Sequence, residues 1–573
     1  MSVIVSDMTV HREWAIYEKR SELVCAPLAV VTPRTVSLTS GDKIPRHRVW
    51  LIVQEESTPL VVEAKAYAAS MDIDILWRAA AGRSLDAATL AACVNAEGNV
   101  GTLAVVQKII NNPAYFYRNS GVFQPAAAEV LEKAKAALCR RASDAKEEEQ
   151  LLTELSAGRI PQEVAAAAVN LLMRKNKNTS IFKAVKKAAG GEQHIAEYLV
   201  KIGLFADARS CWEAMFIHNW PAPSTEDKVS LPALPFSSAR AFSVDDAGTI
   251  EVDDAFSVQA EGSGWLIGLH IAVPAMAPLS VGDYETMRLT SVYFPDVKHP
   301  MLSSEQIEAY SLHAGCYCPT LSLYCHFNPT TGNIGAPQTR LEKVFISHNF
   351  ALENFEQQVP AAVRTQYEVL CTFAAHLPSA RREDGTRLNY RISTNPPGVI
   401  ADVRSSVSVV VEKLMRYVNS VWAKQLYKKG GLFRANGVTI TRPSSTKPYA
   451  WLSSPLRRYV DLANQRLLLF LLGQAPSPAV NWPKLAKMFN VQYVHARYYQ
   501  DQMERHWVLR ALADLPANTV LKAQLLPRNR IRLEGYPLCG TLNPPASGVL
   551  DETIEVRVRD LDFFAQRAYF APV

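Results

Sequence analysis

Along the chain, the spacing of apolar positions changes character several times. Up to about residue 60 short alternating runs dominate. Leu28-Ala-Val-Val-Thr and His47-Arg-Val-Trp-Leu-Ile-Val53 read as strands, with Thr39-Ser-Gly-Asp42 as a turn, since a period of two gives one buried and one wet face. From 61 to 125 the period lengthens to that of a helix. The run Ser84 to Val94 has a cap residue and helical apolar spacing, a second helix follows to about Ile110, and Tyr115 to Phe123 reads as a hairpin turning at Asn119-Ser120-Gly121. Helix, turn, helix, hairpin is the order of a winged helix. Arg118 sits where a wing would touch a phosphate; a packing module with no nucleic-acid contact fits the pattern as well. Ala126 to Ser156, rich in Ala, Glu and Lys with a thin apolar stripe, reads as a long exposed helical connector. Helical spacing continues to about residue 220, and the proline-rich stretch Pro221 to Pro235 reads as a linker. The last segment, 513–573, holds five strand-like runs with Arg528, Arg530, Arg532, Arg557 and Arg559 interleaved, a pattern that suits a short OB barrel.

Composition adds a few bounds. The chain has 573 residues, enough for several domains, and a formal charge of +6, which is compatible with a nucleic-acid partner. Its nine cysteines are scattered and odd in number, so a reducing cytoplasm is the expected setting. The first twenty residues carry charges where a signal peptide needs an apolar run, and Leu467 to Leu472 is too short to span a bilayer. A soluble, cytoplasmic, monomeric protein is expected.

The chemistry is concentrated in Ala241-Phe-Ser-Val-Asp-Asp-Ala-Gly-Thr-Ile-Glu-Val-Asp-Asp-Ala-Phe256. Five carboxylates, on Asp245, Asp246, Glu251, Asp253 and Asp254, fall within ten residues between apolar flanks. The flanks predict strands entering and leaving a tight loop, so the acids gather at the end of a sheet. Carboxylates held together repel one another unless protons or cations neutralise them. Hard oxygen donors without His or Cys suit magnesium or manganese.

This spacing, an Asp, five residues, an acid, one residue and Asp-Asp-Ala, resembles the signature of the ribonuclease II/R (RNB) family of processive 3′-to-5′ hydrolytic exoribonucleases, with Glu251 where the family usually has Asp. The resemblance extends over 236–512. Gly268-Leu-His-Ile-Ala-Val-Pro274 resembles the family's His-Ile-Ala strand, and Arg288 to Pro295 with Pro300-Met-Leu302 resembles its Thr-Ser-Val-Tyr and Pro-Met-Leu block. The helix expected over 407–428 carries Glu412, Met415 and Asn419 on one face and resembles the helix that flanks the RNA channel. Trp451-Leu-Ser-Ser-Pro-Leu-Arg-Arg-Tyr-Val-Asp-Leu-Ala-Asn-Gln-Arg466 resembles the family's His-x-Thr-Ser-Pro-x-Arg-Arg-Tyr motif, with Trp451, Ser453 and Gln465 as departures. Ser454 is expected to cap a helix beginning at Pro455, with Arg457 in its first turn and Arg458 paired to Asp461. No cold-shock domain is evident, which departs from many relatives.

The fold class expected is therefore α+β multidomain. A β-rich region over 1–60 and a winged-helix-like domain over 61–125 precede a helical connector and linker over 126–235. An RNB catalytic domain with a mixed sheet and helices follows over 236–512, and an OB barrel over 513–573. The resemblance implies two-metal phosphodiester hydrolysis with magnesium or manganese, releasing nucleoside 5′-monophosphates from single-stranded RNA. It assigns Asp245, Glu251, Asp253 and Asp254 to the metals, Asp253 and Arg457 to catalysis, and Tyr293, Glu412, Ser454 and Arg457 to the RNA, with Tyr390 a candidate for an aromatic clamp. Two rivals stay open: a catalytically silent RNB protein that only binds RNA, and a transcription regulator built on the winged helix. A zinc site at His313, Cys316, Cys318, Cys325 and His326 lacks a standard ligand spacing.

Overall fold

Alternation in the first sixty residues becomes an antiparallel five-stranded sheet in the order Lys43–Pro45, Thr35–Leu38, Glu22–Val31, Trp14–Lys19, Val49–Val53. The computed structural model describes residues 13–573, apart from 55–56, 120, 224–230, 232, 278–286, 379–388, 403–404, 444–446 and 546–549. Parts of the hairpin turn at Ser120 and of the linker over 221–235 lie outside the described residues. In the first strand Ala15 and Tyr17 face a core shared with Val36, Leu38 and Val49, while Ile16 points the other way into a helical core.

That helical core is built by Thr58–Ser70, Ile73–Ala80, Ala87–Cys93 and Gly98–Asn111. Strands Leu85–Asp86, Val122–Pro125 and Phe116–Asn119 form a small sheet in that order. The cap residue of the run is Asp86, which precedes the helix Ala87–Cys93 and accepts from Thr89 N at 2.8 Å. Arg118 is held by Glu18 at 2.6 Å, so its visible partner is an acid of the same unit. The helix Ala128–Ser156 follows, with only Leu131, Leu151 and Leu155 buried, in line with a largely exposed helix.

The chain divides into two compact units, 1–157 with 178–184, and 158–177 with 185–573. In the second, helices Gln162–Leu172, Ile195–Lys201 and Ala208–Asn219 pack on one another. Phe216 of the last anchors in a cluster with Phe294, Tyr499 and Met503.

The main sheet of this unit comprises Phe236–Asp245, Asp254–Glu261, Gly264–Ala272, Tyr317–Asn328 and Gln338–Ala351, with Asn333–Ile334 at its edge. It closes on itself, because Gly264–Ala272 pairs with both Asp254–Glu261 and Tyr317–Asn328, and Phe236–Asp245 runs parallel to Gln338–Ala351. Three long helices, Ser406–Leu426, Tyr459–Leu471 and Trp482–Ala513, complete the domain around a single large core. The C-terminal strands between Leu521 and Pro572 form a closed five-stranded barrel whose third and fifth strands run parallel, the strand order of an OB fold. Val508, Leu509 and Leu512 of the long helix contribute to its core. The chain is a multidomain α+β protein, and among the described residues no helix is long and apolar enough to cross a membrane.

Candidate active site

The acidic loop is placed by the two strands its flanks predict. Phe236–Asp245 ends at the first acid and Asp254–Glu261 begins at the last. Between them Gly248 turns with φ 73°, a left-handed conformation that glycine adopts without penalty. The loop opens into a cavity of about 910 Å³, lined by Asp245, Glu251, Asp253, Asp254, Tyr293, Glu412, Ser454 and Arg457. The residues that the resemblance assigns to the metals, the RNA and catalysis therefore line one cavity. Tyr390 lines it too, on the hairpin Asn389–Asp402.

Two motifs about 200 residues apart meet at Asp253. Its Oδ1 accepts the backbone N–H of Leu456 at 2.9 Å, and its Oδ2 lies 3.1 Å from Arg457 Nε. Arg457 Nη2 also donates to Ser454 Oγ at 3.1 Å. Partial burial would make the guanidinium easier to deprotonate, but the charges of Asp253 and Asp254 pull the other way, so Arg457 remains a cation.

The turn that carries Arg457 differs from the helix start expected for it. The helix begins at Tyr459, with Arg458 at the cap position and no side-chain cap; Arg457 precedes it. Ser454 does not cap this helix because its hydroxyl serves Arg457, and its N–H goes instead to Asp461 Oδ1 at 2.9 Å. Asp461, fully buried, also takes two bonds of 2.8 Å from Arg458, the pairing expected from their spacing. The turn is pinned from the other side as well: Ser291 N donates to Arg457 O at 2.9 Å and Tyr459 N to Leu289 O at 2.9 Å. Arg457 is thus aimed by a web of bonds, without a helix dipole.

Trp451, a departure from the family's histidine, sits between two guanidiniums. Arg434 Cζ is 4.1 Å and Arg458 Cζ 4.2 Å from ring centroids of the indole. Arg434 is fixed in turn by Thr439 Oγ1 at 3.0 Å and Gly437 O at 2.6 Å. No sequence signal pointed to this stack, because Arg434 comes from outside the motif that holds Trp451 and Arg458.

The other assigned residues divide between contact and support. Tyr293 OH donates to Glu251 Oε2 at 2.7 Å, and Ser291 Oγ to Glu251 Oε1 at 2.6 Å; Ser291 escaped the sequence reading. Burial, followed by the Glu251 charge, raises the Tyr293 pKa, so its hydroxyl keeps its proton. Glu412 lines the cavity and is approached by Arg416 Nη1 at 3.4 Å. Asn419, on the same helix face, is structural: it accepts from Leu452 N at 2.8 Å and donates to Ser453 Oγ at 3.0 Å.

Whether the acids suit a divalent cation can be judged from their oxygens. Burial raises Asp245, Asp253 and Asp254 well above the ordinary carboxylate range, and Asp245 raises Asp254 further. Asp245 Oδ2 is buried without a hydrogen-bond donor, and Asp253 Oδ2 has only its ion pair with Arg457. Buried acceptors of this kind are costly unless something positive reaches them. Among the described residues no three His, Cys, Asp or Glu side chains converge as a ready cage. Magnesium does not require one, since it commonly binds through one or two carboxylates plus substrate phosphate and water. The donor set fits such an ion. The same result leaves no zinc cluster among the described residues around Cys316 and Cys318; Cys325 is buried and near Tyr417 OH at 3.4 Å, while His326 Nε2 lies 3.1 Å from Glu261 O.

Residues 234–443 match the family model described as the RNB domain. No curated protein matches this chain by sequence. Among solved structures, the chain is similar to an active-site mutant of the Dss1 exoribonuclease of Candida glabrata, at 13% identity and TM-score 0.60, over 98% of both chains. It is also similar to apo RNase R of Mycoplasma genitalium, at 12% identity and TM-score 0.54, over 64% of this chain and 78% of that one. RNase R of the same organism in complex with double-stranded RNA matches at 13% identity and TM-score 0.54, over 64% of this chain and 83% of the other. At these identities the likeness speaks to the fold.

Proposed function

We propose, from the RNB-domain match over 234–443 and the likeness in fold to Dss1 and RNase R, that this chain is a 3′-to-5′ exoribonuclease that hydrolyses single-stranded RNA processively to nucleoside 5′-monophosphates. The observation that carries the reading is the meeting of Asp253 with Leu456 N–H and Arg457 on a cavity also lined by Asp245 and Asp254. A phosphodiester placed there faces carboxylates and a cation at once. A bound magnesium or manganese ion, held by Asp245, Asp253 and Asp254, supplies an activated water and charge neutralisation on the phosphate.

The chain's own residues do the rest. Arg457, kept charged and held by Asp253 and Ser454, offers its remaining N–H groups to the phosphate oxygens, where negative charge grows as the P–O bond breaks. Ser454 and Asp461 fix the turn, so little reorganisation is needed at the moment of reaction. Tyr293 and Glu412 line the path of the terminal nucleotides; Tyr293 offers a ring face for stacking and Glu412 a carboxylate for a ribose hydroxyl. The exposed arginines of the OB barrel extend a cationic surface suited to the RNA backbone. The N-terminal helices, with their small sheet and hairpin, have the element order of a winged helix and suit a second nucleic-acid contact.

The test is incubation of 5′-labelled single-stranded RNA with the protein and magnesium, beside Asp253→Asn. A ladder shrinking from the 3′ end, released mononucleotides and an inactive variant are expected. RNA binding without metal-dependent shortening would refute the nuclease reading and favour a silent RNA-binding protein. Sequence-specific retention of duplex DNA at physiological salt would instead favour a regulator.

A further inference from the structure

The second acid of the signature is engaged in a different way from its neighbours. Glu251 is 5% exposed, and each of its oxygens accepts a short hydroxyl bond, Oε1 from Ser291 and Oε2 from Tyr293. Ser291 Oγ accepts from Met301 N at 2.9 Å, which directs its own proton toward Glu251. Tyr293 has one hydroxyl proton, and it too goes to Glu251. Asp245, by contrast, presents a buried oxygen with no donor, and Asp253 Oδ2 meets only the guanidinium of Arg457.

Geometry explains why one carboxylate serves both hydroxyls. Ser291 and Tyr293 are two residues apart in extended backbone leading into the short strand Val292–Tyr293, so their side chains share a face. Glutamate carries its oxygens one methylene further from the backbone than aspartate. An Asp at this position would draw back from the two hydroxyls, and a buried hydroxyl without its acceptor costs stability.

We propose that Glu251 is a positioning residue that locks Tyr293 against the RNA path, and that the metal is left to Asp245, Asp253 and Asp254. The proposal rests on the RNA-processing reading for the identity of the occupant. With its hydroxyl tied down, the Tyr293 ring presents a fixed face to the cavity, and a base stacks on it without first having to order it. The sequence departure at Glu251 thereby exchanges a metal ligand for a rigid substrate contact.

The test uses the full-length chain and two binding measurements that need no turnover. Binding of a 3′-terminal single-stranded oligoadenylate is read by fluorescence anisotropy in chelator, and manganese binding by electron paramagnetic resonance. Glu251→Gln and Tyr293→Phe are each expected to weaken RNA binding about 3- to 10-fold, and together no more than either alone, as for residues that act through one contact. Manganese affinity should stay within about twofold for Glu251→Gln and fall roughly tenfold or more for Asp254→Asn. Loss of manganese by Glu251→Gln to the extent seen with Asp254→Asn would overturn the proposal. So would a Tyr293→Phe variant with unchanged RNA affinity, and that variant decides the matter alone if Glu251→Gln does not fold. A wild type that binds but never cleaves would defeat the nuclease reading and leave this proposal standing.

Discussion

Replacing Asp461 by Asn should loosen the turn that carries Arg457 while leaving the residues of the acidic loop unchanged. Asp461 is fully buried and accepts three bonds: two from Arg458 at 2.8 Å and one from Ser454 N at 2.9 Å. Asparagine keeps one acceptor oxygen and turns the other into a donor facing a guanidinium. Hydrogen bonds to charged groups are worth about 1.5–3 kcal/mol each, and breaking one side of a buried ion pair about 3–5 kcal/mol. Arg458 keeps 19% of its side-chain surface exposed, so water recovers part of that loss, and we expect about 2–4 kcal/mol of destabilisation. Amide exchange followed by mass spectrometry should show faster exchange across 452–466. Activity, measured well below the unfolding transition, should fall mainly in kcat, because Arg457 loses its aim while Tyr293 and Glu412 stay in place. In a double-mutant cycle with Arg458→Met the two losses should be strongly non-additive. Unchanged exchange over this segment, with full activity in Asp461→Asn, would refute the reasoning.

Three further outcomes are expected. His270 is buried between Ser257 Oγ at 2.8 Å and Ser322 Oγ at 2.9 Å, and burial pushes its pKa down to about 3. Its neutral form therefore supports the fold fully above pH 6.5, and that support drains away as pH falls from 6.5 toward 3, by up to about 5 kcal/mol; His270→Gln should flatten this part of a denaturant-derived stability profile. In Gly268→Ala the new Cβ would lie 2.4 Å from Ser257 Oγ and 2.7 Å from His270 Nε2, so a loss of about 1–3 kcal/mol is expected by urea unfolding. Trp451→Ala removes the surface shared by Arg434 and Arg458, and should cut RNA hydrolysis about tenfold while Trp451→Phe retains most of it, since each cation–π contact contributes about 0.5–2 kcal/mol.

The parts of this site that were legible in the sequence are those made by near neighbours. The apolar flanks of the acidic loop forecast the strands ending at Asp245 and starting at Asp254. The three-residue spacing of Arg458 and Asp461 forecast their pairing, and helical periodicity put Glu412 and Asn419 on one face of a helix observed over Ser406–Leu426. What stayed hidden depends on which of several possible partners each side chain takes, near in the chain or far. Ser454 looks like a helix cap until Arg457 claims its hydroxyl and Asp461 its N–H. Glu251 looks like one more acid until Ser291 and Tyr293 reach it from 40 and 42 residues away. Trp451 looks like a mere departure from a motif until Arg434 is folded onto its ring. Local pattern forecast which elements form; the choice of partner for each polar atom was settled by the tertiary fold.

The bond from Leu456 N–H to Asp253 spans 203 residues, and that span has a bearing on synthesis. A chain growing on the ribosome exposes the acidic loop long before the turn that completes it. Until Leu456, Arg457 and Asp461 emerge, the carboxylates have neither their backbone donor nor their cation. On the function proposed here, the site stays incomplete until the second motif docks.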